Sequence, residues 1–187
     1  MTATIVDLHA GELVDRVADL LYRSFRGRTE SFPDLETAQR EVVKSLDPRK
    51  ISRVALDPAA GVVGWIGAIP QYRGRVWELH PLVIAQSHRR RGIGRALVSS
   101  IEATVALRGA TTLWLGTDDE IGETSLSGVD LYADVAGHLR NATSTDDHAL
   151  LFYRRLGFHV VGCLPDANGR GKPDIFMAKR IGPAVGE

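Results

Sequence analysis

Cysteine is nearly absent from this chain, which has Cys163 alone among its 187 residues. A single cysteine excludes an intramolecular disulfide framework and a zinc site made of paired cysteines. The apolar, strand-like pattern around Cys163 favours a buried, inert thiol over a reactive one. This usage of cysteine fits a reducing compartment, and we expect the protein to be cytoplasmic.

An excess of charge of either sign is absent as well. Lys and Arg number 23, Asp and Glu also number 23, and the formal net charge is zero. This balance gives no global attraction to nucleic acid or to an anionic membrane, so neither is expected as a partner. The residues after Met1 lack the basic start and long apolar run of a secretory signal. Hydrophobic residues at 44% are typical of globular proteins, and the length predicts a single domain over residues 1–187.

Apolar periodicity and turn residues divide the chain into alternating helices and strands. Strands are predicted at 3–8, 51–56, 62–71, 76–84, 111–115, 159–164 and 174–179, and helices at 11–25, 34–45, 92–108, 130–139 and 146–156. Asp34 is the expected N-cap of the second helix. The pair Asp146–Asp147 is the expected cap of the last helix, which Gly157 ends. This order predicts an α/β fold with a mixed sheet in a layered arrangement.

A basic turn that contains two glycines separates the strand at 76–84 from the following helix. It reads Arg89-Arg90-Arg91-Gly92-Ile93-Gly94-Arg95. The start of a helix has unpaired N–H groups and the positive end of the helix dipole. Glycine removes the side chains that would keep an anion away from those amides, and arginine adds positive charge. The turn therefore predicts a phosphate site, with a solvated helix cap as the alternative.

Pro81 lies inside the strand that precedes this turn. Proline cannot donate to a sheet ladder, so it is confined to edge strands or to bulges. If the strand is central, it is locally unpaired at Pro81, and its free N–H and C=O groups favour an extended ligand that contains amides. The alternative is a simple edge strand. The basic turn downstream favours the first interpretation, with a ligand that has a pyrophosphate head and a long amide arm.

Carboxylates are concentrated after the short strand at 111–115. The segment Gly116-Thr117-Asp118-Asp119-Glu120 is followed by Glu123. Carboxylates this close repel one another unless they are solvated or matched by a cation. The segment therefore indicates either a solvated loop or a rim that binds a cationic ligand.

Several segments together resemble the GNAT superfamily of N-acetyltransferases. Its pyrophosphate motif, Gln/Arg-x-x-Gly-x-Gly/Ala, is matched in full by Arg89-Arg90-Arg91-Gly92-Ile93-Gly94. More narrowly, residues 66–179 are similar to the aminoglycoside 6′-N-acetyltransferases. The similar segments include Trp77-Glu78-Leu79-His80-Pro81, Phe152-Tyr153-Arg154-Arg155-Leu156-Gly157-Phe158 and Val161-Gly162-Cys163-Leu164-Pro165. The segment 26–32 departs from this likeness, because the family loop there is more acidic.

The resemblance implies a GNAT fold, with a mixed, mostly antiparallel sheet that is splayed at its central strands and has helices on both faces. It implies acetyl-CoA as the acetyl donor, no metal, and an aminoglycoside amine as the acceptor. It also implies antibiotic resistance as the consequence of activity, and a homodimer. The residues that it assigns to the donor are Leu82, Val83, Ile84, Arg89, Arg90, Arg91, Gly92, Ile93, Gly94, Arg95 and Tyr153.

The chemistry of acetyl transfer to an amine indicates which side chains act. An ammonium group must lose a proton before it attacks a thioester, so a carboxylate or an imidazole is needed within reach. Glu78 and His80 are two apart on a strand and so share a face; Glu78 is the expected proton relay, with His80 as its partner. A satisfied structural histidine is the alternative for His80. The N–H near Leu82 is expected to bind the oxyanion.

Two further roles follow from the resemblance and from charge. Tyr153 is at the position that the superfamily uses to protonate the thiolate, and a core aromatic residue is the alternative there. A substrate with several ammonium groups favours a pocket with several carboxylates, because each exposed ion pair contributes only about 0–1 kcal/mol. The residues expected to bind this substrate are Trp77, Glu78, Asp118, Asp119 and Asp174.

Two other functions remain compatible with the sequence. The first is an acetyltransferase of the same superfamily that acts on a polyamine, another small amine or a protein N-terminus. The second is a regulatory module that binds acyl-CoA without catalysis. Because Cys163 lies in an apolar strand pattern, direct transfer in a ternary complex is favoured over an acetyl-cysteine intermediate.

Overall fold

The computed structural model describes residues 3–27, 31–146 and 148–182. Its strands are β1 (Thr4–Asp7), β2 (Ile51–Asp57), β3 (Gly61–Gln71), β4 (Val76–Ile84), β5 (Thr112–Asp118), β6 (His159–Leu164) and β7 (Asp174–Arg180). Its helices are α1 (Leu13–Phe25), α2 (Leu35–Lys44), α3 (Ile93–Leu107), α4 (Val135–Arg140) and α5 (Ala149–Arg155). The chain divides into two compact units. The first contains the described residues up to Thr111 and those from Ile181 onward, and the second spans Thr112–Arg180.

The first unit is an antiparallel sheet in the order β1-β2-β3-β4. Helices α1 and α2 pack on one face, where Trp65 and Val83 are buried with the apolar residues of both helices. Gly64 lies next to Trp65 and therefore points to the other face, where it adjoins Ile93 and Leu97 of α3. The predicted helices on both faces are thus confirmed in this unit.

Helix α2 begins where the sequence predicts. Asp34 has an extended backbone, and its side chain accepts a hydrogen bond from the Thr37 N–H at 2.7 Å. This bond satisfies one of the N–H groups that a helix start leaves unpaired, and it lowers the pKa of the Asp34 carboxyl. The cap fixes the start of the helix that carries Glu41.

A bulge interrupts the pairing of β3 with β4 at Pro81. Leu79 pairs with Ala68 and Leu82 pairs with Ile66, so His80 and Pro81 together lie opposite Gly67. A Cβ atom at position 67 would collide with the carbonyl oxygen of His80. The sequence predicts a proline at an edge or a bulge, and the bulge is what the structure shows.

The second unit contains the antiparallel order β5-β7-β6. Strand β5 continues to Asp118, three residues beyond the predicted end at Leu115. A long connecting segment follows β5, and an isolated antiparallel β-bridge between Thr124 and Ser144 joins its two ends. Gly157 has a φ of 86° after α5, as expected for a residue that ends a helix.

The predicted cap of α5 is wrong. His148 is the N-cap, and its side chain accepts a hydrogen bond from the Leu150 N–H. Asp146 instead lies 3.7 Å from Arg155 in an exposed ion pair, and Asp147 lies outside the described residues. Histidine is an uncommon cap, so propensity favoured the acidic pair. Among the described residues, no helix is long and apolar enough to cross a membrane.

Candidate active site

Glu78 is a half-buried carboxylate in β4, on the face that carries α2. Its partner across the ladder is Ile69, and the Gln71 side chain donates a hydrogen bond to Glu78 at 2.7 Å. Burial raises the pKa of Glu78, and the positive charges that His80 and Lys50 carry when protonated only partly oppose this rise. A carboxylate that is harder to ionise is a stronger proton acceptor once ionised, which is the property that a proton relay needs.

His80 lies two residues further along β4 and is 45% exposed. Its Nε2 atom lies 3.9 Å from Oε1 of Glu41 in α2. The structure therefore groups a second carboxylate with Glu78 and His80, and the whole group can attract a cation. Sequence reasoning missed Glu41, because its approach to β4 depends on how α2 packs.

Trp77 lies on the opposite face of β4 from Glu78. Its side chain is 3% exposed, its indole N–H donates to the carbonyl oxygen of Gly74 at 3.0 Å, and the Arg108 guanidinium lies over its ring. Successive residues of a strand face opposite ways, so Trp77 and Glu78 do not share a surface. The geometry gives Trp77 the structural function of holding the turn at Gly74, in place of the predicted substrate contact.

The basic turn has the backbone of an anion site. Gly92 is the N-cap of α3 in the left-handed conformation, with a φ of 82°, and no side chain caps this helix. The space beside Gly92 is open, because among the described residues beyond its chain neighbours none lies within 4 Å of a Cβ atom added there. Arg89, Arg90, Arg91 and Arg95 are all exposed there. The residues of the turn thus fit a pyrophosphate group.

The last three residues of β4 form ladder pairs with β3. Leu82, Val83 and Ile84 pair with Ile66, Trp65 and Gly64. Val83 is 2% exposed and belongs to the core, so any contact it makes with a ligand is through its backbone. The bulge reverses the alternation of faces along β4, which separates Leu82 and Ile84 from the face of Glu78 and His80.

Asp118 and Asp119 have opposite surroundings although they are adjacent. Asp118 ends β5 and is exposed, and Nδ2 of Asn168 donates to its Oδ1 at 2.5 Å. Asp119 is 1% exposed, and its two oxygens accept hydrogen bonds from the N–H groups of Glu123 and Thr124. Burial raises the pKa of Asp119, but these hydrogen bonds outweigh it, and the pKa is lowered. Asp119 therefore closes the loop, while Asp118 is the carboxylate that solvent reaches.

Asp174 begins β7 directly opposite Asp118. Its carboxylate lies over Gly116, where a Cβ atom would come within 2.7 Å of Oδ1. Glycine at position 116 therefore leaves the space that this carboxylate occupies. The structure brings Asp118 and Asp174 together at one end of the β5–β7 pair, where Asp118 is exposed and Asp174 is partly buried.

Tyr153 is an interior residue of α5, 7% exposed. Its ring lies 5.0 Å from the ring of Phe152 and 5.5 Å from that of Phe158, both in tilted, edge-on arrangements. Burial raises the pKa of its hydroxyl, so the phenol is protonated throughout the neutral range. The packing fits the core aromatic interpretation, and the protonated hydroxyl fits a proton donor.

The segment that departs from the resemblance is only partly described. The Arg26 guanidinium lies 5.9 Å from the centre of the Tyr22 ring, and Phe32 is buried against Phe25 with ring centres 5.3 Å apart. Arg28 lies outside the described residues. Phe32 therefore anchors one end of this segment in the first unit.

The fold is that of an acetyltransferase. The model of the acetyltransferase (GNAT) family matches residues 14–137, and the chain belongs to this family. The predicted GNAT fold is thereby confirmed.

Solved structures give a narrower likeness. An aminoglycoside 6′-N-acetyltransferase complexed with coenzyme A is 40% identical, with a TM-score of 0.87 and coverage of 97% of this chain and 98% of that chain. The aminoglycoside 6′-N-acetyltransferase from Enterococcus faecium gives the same identity, TM-score and coverage. An aminoglycoside 6′-acetyltransferase type Ii is 37% identical, with a TM-score of 0.73 and coverage of 97% and 99%. A comparison with curated protein sequences gives no significant match.

Proposed function

We propose that this chain transfers the acetyl group of acetyl-CoA to the 6′-amino group of aminoglycosides, by direct attack in a ternary complex, and that resistance to these antibiotics follows from the activity. The observation that carries the proposal is the half-buried Glu78, whose raised pKa and neighbours His80 and Glu41 suit a group that takes a proton from a cation. The 6′-N-acetyltransferases that are 40% identical support this choice of acceptor.

The proposed reaction assigns one step to each group. Glu78, with His80 beside it, takes a proton from the substrate ammonium group, directly or through a water. The free amine then attacks the thioester carbonyl carbon, and the N–H near Leu82 binds the oxygen that becomes negative. The carbon–sulfur bond breaks, and the sulfur takes the proton of the Tyr153 hydroxyl. The nitrogen loses its second proton, which returns through water to the Tyr153 oxygen, and the proton on Glu78 passes to solvent. The products are an amide and a free thiol.

The donor is held by the basic turn before α3. The uncapped N–H groups at the start of α3 and the exposed arginines bind the pyrophosphate of acetyl-CoA. The backbone of Leu82, Val83 and Ile84 guides the remainder of the donor toward Glu78. Cys163 takes no part, because burial raises the pKa of its thiol and so keeps the thiol protonated.

The acceptor is held by carboxylates. In the second unit the carboxylates proposed for this are Asp118 and Asp174, and in the first unit they are Glu78 and Glu41. Each exposed ion pair contributes only about 0–1 kcal/mol, so binding of a polycation needs more than one carboxylate. Asp119 serves the acceptor indirectly, because its bonds to Glu123 and Thr124 hold the loop that follows Asp118.

A panel of acceptors tests the proposal. Release of the CoA thiol is measured with aminoglycosides that carry a free 6′-amine, with matched compounds that carry a 6′-hydroxyl, and with polyamines and a peptide N-terminus. Turnover only with the free 6′-amine is expected. Turnover of polyamines or peptides alone would assign the chain to another acceptor class, and acetyl-CoA binding without any thiol release would make it a binding module.

The remaining proposals concern the protein in the cell. A cytoplasmic location is supported by the single cysteine, and a homodimer by Val161 and Leu164, which are 62% and 53% exposed on β6. Light scattering after size exclusion tests the dimer, and cell fractionation tests the location. The single domain over residues 1–187 stays a prediction.

A further inference from the structure

His148 is a buried polar side chain to which no step above assigns a function. It is 5% exposed, and both of its ring nitrogens are used. Nδ1 accepts a hydrogen bond from the Leu150 N–H at 3.1 Å, and Nε2 lies 3.2 Å from the carbonyl oxygen of Asp118. One imidazole therefore contacts the start of α5 and the end of β5.

These two contacts define the tautomer of the ring. A nitrogen that accepts a hydrogen bond from an N–H group carries no proton, so Nδ1 is the unprotonated nitrogen. A carbonyl oxygen only accepts, so the atom that faces Asp118 must be Nε2–H. The neutral Nε2–H form satisfies both contacts at once, and no other form does.

We propose that His148 is a positioning residue that couples the acceptor site to the proton donor. At Nε2 it fixes the Asp118 carbonyl, and so the backbone from which the Asp118 carboxylate projects. At Nδ1 it caps α5, which carries Tyr153 in its second turn. The proposal rests on the functions proposed above for Asp118 and Tyr153.

The neighbouring contacts explain why one ring can hold both elements. The Asp119 N–H donates to the carbonyl oxygen of Pro173 at 3.0 Å, so the backbone after Asp118 is held on its other side too. Arg154 Nη1 donates to the carbonyl oxygen of Ala142 at 2.7 Å, which ties the later part of α5 to the segment before it. His148 supplies the remaining connection, from β5 to the first turn of α5.

Two substitutions separate the two ring nitrogens. His148→Asn places an amide oxygen where Nδ1 lies, so it keeps the cap and loses the bond to Asp118. His148→Gln places an amide N–H where Nε2 lies, so it keeps the bond to Asp118 and loses the cap. We expect His148→Asn to raise the KM for an aminoglycoside about fivefold with kcat nearly unchanged, and His148→Gln to lower kcat by about the same factor with KM nearly unchanged.

His148→Ala is expected to show both defects, and the same substitutions at the exposed His159 serve as controls. Thermal melts identify any variant that fails to fold. Equal effects of Asn and Gln on KM and kcat, or no effect of either, would overturn the coupling. A role in stability alone predicts that equality.

Nuclear magnetic resonance gives a readout that does not depend on activity. Long-range proton–nitrogen spectra of the wild-type protein are expected to show the Nε2–H tautomer of His148; an Nδ1–H tautomer would overturn the proposal. His148→Asn is expected to shift the amide signals near Asp118, and His148→Gln those near Tyr153. If no aminoglycoside is acetylated but these shifts separate as stated, the proposed acceptor fails and the coupling of the two elements stands.

Discussion

Strand β4 and the loop after β5 each contain a carboxyl group that burial affects, half-buried at Glu78 and fully buried at Asp119, and the pKa values of the two groups shift in opposite directions. Burial raises the pKa of Glu78, which accepts a side-chain hydrogen bond from Gln71. Burial also raises the pKa of Asp119, but two backbone N–H groups stabilise its charge and the net pKa is lowered. Burial alone therefore does not decide the direction of the pKa shift. The donors aimed at the charged form also count, and they distinguish the carboxyl proposed to exchange a proton from the one that holds a loop.

The largest expected effect is on catalysis. Glu78→Gln is expected to lower kcat by about 10²- to 10³-fold with a 6′-amino aminoglycoside, because the amide cannot take the proton. Affinity for acetyl-CoA, measured by calorimetry, is expected to stay unchanged. Glu36→Gln, at an exposed position of α2 paired with Arg40, is the matched control and should retain full activity. A Glu78→Gln enzyme with an unaltered pH–rate profile would exclude Glu78 as the relay.

The second effect is on stability and concerns the other carboxylate. Asp119→Asn is expected to lower the free energy of unfolding by about 2–3 kcal/mol, because an amide N–H₂ group then faces a buried backbone donor. Urea unfolding at neutral pH measures it. The neighbouring Asp118→Asn is the control: it is exposed, so stability should change by less than about 0.5 kcal/mol while the KM for the aminoglycoside rises. Equal losses at the two positions would remove the contrast.

Stability as a function of pH sharpens the comparison. The folded pKa of Asp119 lies below its ordinary value of 3.8, so its contribution is present above that value and is lost as the pH falls through the folded pKa. The folded pKa of Glu78 lies above its ordinary value of 4.5, so its contribution is present below 4.5 and is lost as the pH rises through the folded pKa.

Urea unfolding of the two variants between pH 3 and pH 8 checks these signs. Relative to wild type, Asp119→Asn should become less stable with rising pH, and Glu78→Gln should become slightly more stable. The effect at Glu78 is the smaller, because that group is half exposed to solvent. Parallel curves for the two variants would contradict the assignment of opposite pKa directions.

The smallest expected effect is at the donor to Glu78. Gln71→Leu removes the side-chain hydrogen bond that stabilises the ionised carboxylate, so the pKa of Glu78 should rise further. The acidic limb of the kcat/KM profile should move to higher pH, with little change at the plateau. Gln39→Leu on α2, where Gln39 instead contacts Asp15, is the control. A limb that does not move would show that another group governs it.

Local sequence patterns were sufficient for the elements of the fold. Apolar spacing located the strands and helices, and Asp34 and Gly157 were identified as helix ends because caps depend on one or two neighbouring residues. The basic turn before α3 could be proposed as a phosphate site for the same reason, since its glycines and arginines are contiguous in the chain. The cap at His148 was missed because histidine is uncommon at that position.

The site depends on contacts between distant segments, which the sequence could not predict. Asp118 and Asp119 look equivalent in the chain, and only the fold of the loop buries one of them. Glu41 lies near His80 because of the way α2 packs on the sheet. Trp77 faces away from Glu78 because successive residues of a strand point to opposite faces. Long-range packing, rather than residue type, therefore determines which of these side chains are buried and which lie near Glu78.

Gly67 limits how this acetyltransferase can be altered by laboratory evolution. Every substitution there adds a side chain where the carbonyl oxygen of His80 already lies, and the strand that must yield is the one that carries Glu78. Selection for a wider range of acceptors should therefore leave position 67 unchanged in every surviving lineage. Adaptive substitutions should accumulate instead between Glu120 and Asp146, where most residues are exposed and none belongs to β4.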